Sequence, residues 1–91
     1  MRVVQTNRFK KAYKKLHPNQ LSAANEAIAD VIEDPNIGEQ KVGDLSWLRV
    51  YKFKERERTI LLGYSVESDR EMTLVFVDIG GHENFYRDLK R

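Results

Sequence analysis

The chain has no cysteine, which excludes disulfide staples and thiolate zinc sites. It has no apolar run long enough to cross a membrane, and its opening Met1-Arg2-Val3-Val4 does not read as a signal peptide. The expected location is therefore the cytoplasm, with no membrane partner. Histidine is scarce, with only His17 and His82, and the carboxylates form no compact cluster around either. No metal and no cofactor is expected. Repeats, low-complexity tracts and linkers are also missing. Residues 1–91 are expected to form a single domain. A chain of this length buries roughly 60–65% of its unfolded surface, so its core is small.

What is present is charge, unevenly placed. The formal net charge is only +2, yet Arg8, Lys10, Lys11, Lys14 and Lys15 crowd one segment and Arg49, Lys52, Lys54, Arg56 and Arg58 another. Arg87, Lys90 and Arg91 close the chain, while Glu26, Asp30, Glu33 and Asp34 gather elsewhere. Basic clusters interleaved with aromatics are an electrostatic footprint for a polyanion. They also serve as solvated helix faces and blunted strand edges.

The periodicity predicts a β-α-α-β-β-β order. Met1 to Gln5 reads as a short strand, and Thr6 or Asn7 can cap a helix. Phe9, Ala12, Tyr13 and Leu16 give that helix one apolar stripe. Pro18 breaks it. A second helix, opened by Pro18 or Asn19, carries Leu21, Ala24, Ala27, Ile28, Val31 and Ile32 and stops at Asp34-Pro35. The short connection predicts an antiparallel helical hairpin. Residues 36–46 read as a loop, with Trp47 as an anchor beside it. Strands are expected at Trp47 to Lys54, Thr59 to Val66 and Met72 to Ile79, as an antiparallel meander. The fold class is α+β: a small antiparallel sheet with the N-terminal hairpin on one face and a short helix at the end.

Alternation along the first meander strand turns Tyr51 and Phe53 to the helices and leaves Lys52 and Lys54 on the open face. Arg49 shares the parity of Tyr51 and Phe53, so the alternation is not clean, and a bulge or a strand that starts only after Arg49 would reconcile it. The third strand runs into Gly80-Gly81, and His82 follows. That places a side chain able to move protons near neutral pH on an expected glycine turn at a strand end. Tyr86 lies one helical turn beyond, on the same side. A histidine in this position can also simply cap the last helix, and Phe85 reads as core.

Together, the element order, the segment Val50-Tyr51-Lys52-Phe53-Lys54 and the ending Gly81-His82-Glu83-Asn84-Phe85-Tyr86 resemble the RelE/ParE superfamily of toxins from bacterial toxin–antitoxin pairs. Lys52 and Lys54 match two lysines that flank an apolar residue on the equivalent strand of RelE. His82 and Tyr86 match the histidine and aromatic of the YafQ branch. RelE's strand arginine is not matched, because Leu61 stands three residues before the matching Tyr64. RelE's second arginine has Glu83 near its place, with Arg87 close by.

The resemblance implies a growth-inhibiting toxin neutralised by a cognate antitoxin. It implies a metal-independent endoribonuclease that cuts messenger RNA on the ribosome, or alternatively an inhibitor of DNA gyrase or a DNA-nicking toxin. Under the first activity, the ribose 2′-OH attacks the phosphate. His82, Lys52, Lys54, Tyr86 and Glu83 are the expected catalytic residues, and Arg49, Arg87 and Lys90 the expected substrate contacts. His82 would move a proton, and the lysines would stabilise phosphate charge. Tyr86 would stack on a base, and Glu83 would orient His82 or act as base.

Overall fold

The Thr6 side chain ties the start of the first helix to the sheet. Its Oγ1 accepts from the Phe9 amide (3.0 Å) and donates to the Val77 carbonyl (3.1 Å), while its amide donates to the Phe76 carbonyl (3.0 Å). The structure is a computed structural model that describes residues 1–89, apart from the side chains of Glu83, Asn84, Arg87 and Asp88. Its elements are β1 (Arg2–Gln5), α1 (Asn7–Lys14), α2 (Pro18–Glu33), β2 (Glu39–Gln40), β3 (Arg49–Glu55), β4 (Arg58–Ser68), β5 (Met72–Gly81) and α3 (His82–Leu89). Among the described residues, no helix is long and apolar enough to cross a membrane.

The expected class and order hold. In α1, Phe9 is buried and Ala12 and Tyr13 are half-buried, as is Leu16 just beyond its end, while the lysines face solvent. Pro18 occupies the first turn of α2, where its missing N–H costs nothing. His17 caps that helix: the Gln20 side chain accepts from the His17 amide (2.9 Å), and His17 Nδ1 accepts a longer bond (3.4 Å) from Asn19. The two helices spread across one sheet face, α1 over β5 and α2 over β3. The Tyr13 hydroxyl joins them by donating to Asn25 (2.7 Å).

The sheet order is β1-β5-β4-β3-β2. The meander β3-β4-β5 is antiparallel as expected, but β1 joins β5 in parallel, so the sheet is mixed. Three local expectations are corrected. The presumed loop at 36–46 contains the two-residue edge strand β2, paired to Val50 and Arg49, and a 3-10 turn at Gly43–Leu45. Trp47 lies before β3 and is 47% exposed, because Leu45 and Leu48 take the buried positions around it. Gly80 and Gly81 form no turn: they continue β5, paired to Leu61 and Ile60, and α3 starts directly at His82.

A bulge sets the register. Gly63 pairs with Asp78 and Tyr64 with Phe76, which leaves Val77 as the extra residue on β5. The bulge lets both Phe76 and Ile79 enter the helix-side core with Leu62 and Tyr64. Strict alternation would have sent Asp78 there instead. Asp78 accepts from Arg8 Nε (3.1 Å) and from the Ile79 amide (2.9 Å). The opposite face is not open, as the sequence suggested. At one end a second core forms from Leu45, Leu48, Val50, Leu61 and Phe85.

Tyr64 carries the link between α2 and β3. Its fully buried hydroxyl donates to the Pro35 carbonyl (2.7 Å) and accepts from the Gly38 amide (2.9 Å). Burial pushes its phenol above the ordinary 10.0. A raised pKa gives stability that is complete below the unfolded value and is lost as pH rises past it. Tyr64→Phe should therefore cost about 1–3 kcal/mol in chemical denaturation, through two orphaned backbone groups. It should also flatten the loss of stability above about pH 10. A variant as stable as wild type, with the same alkaline limb, would contradict this role.

Candidate active site

The site is set where β5 passes into α3. α3 lies across the sheet because the Phe85 ring settles on Gly63 of β4. A Cβ at Gly63 would stand 2.6 Å from Phe85 Cζ, closer than any packed pair allows, so only glycine lets the ring in. Phe85 is 3% exposed, as the sequence predicted for a core residue. His82, one turn earlier, is exposed at the sheet's end. Its ring meets Tyr86 edge-on, with centroids 5.7 Å apart and planes at 75°. The one-turn spacing thus brings the two rings together as expected.

Lys52 and Lys54 are exposed and share the parity of Val50, which belongs to the α3-side core. Tyr51 and Phe53 turn the other way, with Tyr51 donating to Asp30 of α2 (3.1 Å). Both lysines therefore stand on the face that carries α3. Lys54 pairs with Thr59, beside the Phe53–Ile60–Gly81 row that ends at His82. The backbones of Lys54 and His82 are thus about two strand spacings, or ~10 Å, apart.

Arg49 is placed differently. β3 begins at Arg49 with no bulge, so its side chain keeps the helix-side parity, away from the lysines. Its Nη1 donates to the carbonyls of Gly38 (2.7 Å) and Asn36 (3.2 Å), which fixes the strand that follows α2. Lys90 lies outside the described residues, as do the side chains of Glu83 and Arg87. Leu61 is fully buried, so no cation occupies that position on β4.

The structure adds two residues that sequence reasoning did not single out. Lys41 lies over the Tyr86 ring, 5.3 Å from its centroid, and donates to Glu39. That bond holds the Lys41 ammonium above its ordinary value and the Glu39 carboxylate below its own, with Lys52 adding to the effect on Glu39. The Tyr86 hydroxyl is buried beside the Lys41 ammonium, which it helps to hold charged. Only the pairing of β2 to β3 brings Glu39 and Lys41 to this face, and a two-residue strand leaves no periodic signal. Among the described residues no three histidine, aspartate or glutamate side chains gather as metal ligands would.

The site sets a group able to carry protons beside exposed positive charge, and the scaffold beneath it has solved counterparts. The toxin–antitoxin complex RelBE2 from Mycobacterium tuberculosis contains a chain that matches with a TM-score of 0.74 at 23% identity, over 89% of this chain and 96% of that one. The intact E. coli RelBE complex matches with a TM-score of 0.68 at 23% identity, over 90% and 96%. The isolated E. coli RelE toxin matches with a TM-score of 0.66 at 22% identity, over 99% and 96%. These likenesses show a RelE-like fold. No curated protein matches the sequence. The model of the ParE-like toxins of type II bacterial toxin–antitoxin systems matches residues 3–90, and the chain belongs to that family.

Docking of α3 through one ring over one glycine is open to a direct test. Gly63→Ala should expel Phe85 and cost about 1–3 kcal/mol, the usual penalty for overpacking a core. It should also raise hydrogen exchange in α3 well before the rest of the chain unfolds. Unchanged protection of α3 in the variant would show that the helix is held by something else.

Proposed function

We propose that this toxin is an endoribonuclease that cuts messenger RNA by attack of the ribose 2′-OH, leaving a 2′,3′-cyclic phosphate and a 5′-hydroxyl. The carrying observation is His82, exposed at the end of β5 and about two strands from Lys54 on the face of Lys52. His82 moves the proton of the attacking 2′-OH or of the leaving 5′-oxygen. Lys52 and Lys54 stabilise the charge that builds on the phosphate. Tyr86 fixes the histidine ring and offers a face to a base, and Lys41 adds positive charge behind it. Glu83 and Arg87, on the same helix, remain assigned to orienting His82 and contacting substrate, with Lys90 beyond them. Arg49 is left out, since its guanidinium is spent on loop carbonyls.

The toxin works in the cytoplasm on ribosome-bound message. Its cognate antitoxin silences it with an acidic amphipathic segment laid against the basic face, so association is salt-sensitive. That RelE-like chains are seen in complexes with antitoxins supports such a partner. A second reading, inhibition of DNA gyrase, is favoured by the ParE-like family match and by Leu61 where RelE-like chemistry has an arginine.

Induced expression followed by mapping of RNA ends and DNA supercoiling separates the two. Cyclic-phosphate ends with normal supercoiling are expected. His82→Ala should keep the wild-type Tm and lower cleavage by about 10²–10⁴-fold. Lys52→Ala with Lys54→Ala should likewise lower cleavage far more than stability. A well-folded His82→Ala protein that remains fully toxic sinks the ribonuclease reading, and relaxed DNA with intact message establishes the other.

A further inference from the structure

Three of the five glycines have a reason inside the fold. A Cβ at Gly38 would meet the Tyr64 hydroxyl at 2.6 Å, one at Gly63 would meet Phe85, and Gly43 has a left-handed φ of 67°. Gly80 and Gly81 have neither reason. Both lie in β5 with ordinary φ, and a Cβ at either would meet no described atom within 4 Å. Glycine weakens a strand, and where no bulge or bend requires it, it marks a place where something else approaches the backbone closely. The bulge of β5 is at Val77, not here.

This bare strip has a charged setting. β1 pairs with β5 only as far as Phe76, so the end of β5 is a free edge. A cavity of about 850 Å³ opens beside it, between the α1–α2 connection and the start of α3. Gly80, Gly81, Lys15, Arg58, Thr59 and His82 line it. Asp78 also lines it, with its carboxylate paired to Arg8. Lys15 and Arg58 make no ion pair with a described residue. The groove thus joins two available cations, a naked stretch of backbone about 7 Å long and the exposed histidine.

We propose that single-stranded RNA flanking the cleaved bond runs through this groove. Its sugar–phosphate backbone crosses Gly80–Gly81 at a distance that any side chain there would prevent. Lys15 and Arg58 hold the phosphates on either side of the crossing. The inference rests on the endoribonuclease reading and gives that site its substrate path: message reaches His82 over the strand edge, then passes to Lys52 and Lys54.

The test uses the full chain and a short, fluorescent, 2′-O-methyl oligoribonucleotide that cannot be cut, with binding read by anisotropy. Gly80→Val and Gly81→Val should each raise the Kd by about tenfold or more, with a Tm no lower than wild type, because valine suits a strand and meets open space. Lys15→Gln and Arg58→Gln should each lower the salt slope of log K by about 0.7, one phosphate contact on a single strand. If a valine lowers the Tm, the two glutamine variants decide the matter by their slopes. Wild-type RNA affinity in stable valine variants overturns the path while leaving the nuclease reading intact. Valine variants that bind RNA normally but lose the antitoxin also overturn it, since the strip then belongs to the partner. A wild-type chain that neither binds nor cleaves RNA removes both readings together.

Discussion

The ring of Phe85 on the bare backbone of Gly63 is the contact on which the site depends. It buries the aromatic that holds α3 down, and it closes the second core with Leu45, Leu48, Val50 and Leu61. An eight-residue helix is too short to persist in water on its own propensity. Its presence, and therefore the position of His82 and Tyr86, comes from that packing. The candidate site sits on one small, separately assembled layer, while the face covered by α1 and α2 holds the larger of the two core clusters.

The division between faces also separates cations by task. Arg8 and Arg49 stand on the helix side and are engaged, one with Asp78 and one with the carbonyls after α2. Lys52 and Lys54 are exposed on the α3 side. Asp78 is buried and Arg49 half-buried, and a charge withdrawn from water is tolerable only with partners, which both have. Exposed cations gain little from the fold and remain available to a polyanion. The same basic composition thus supplies both fasteners within the fold and exposed cations on the α3 side.

Strand alternation made much of this legible. Tyr51 and Phe53 against Lys52 and Lys54, the stripe of α1, the breaks at Pro18 and Pro35, and the one-turn spacing of His82 and Tyr86 are local patterns, and each is found in place. The misreadings share a cause. Arg49 appeared to need a bulge because its carbonyl partners lie in a loop whose course no periodicity reveals. Trp47 was read as an anchor because size and hydrophobicity suggest burial, but Leu45 and Leu48 are placed to fill that space and Trp47 is not. Gly80-Gly81 was read as a turn because such pairs usually are, yet pairing with Leu61 and Ile60 keeps them extended.

The sequence by itself determined the element order, the faces of β3 and the register of two rings on α3, since each depends only on spacing along the chain. Tertiary structure decided the rest. The Val77 bulge kept Asp78 out of the helix-side core, the pairing of β2 brought Glu39 and Lys41 to Tyr86, and the end of the β1 pairing at Phe76 of β5 left an edge beside the two glycines. These features arise between segments far apart in sequence. Their cause is which backbone groups remain to be paired and which volumes remain to be filled, and neither is written in any single stretch of residues.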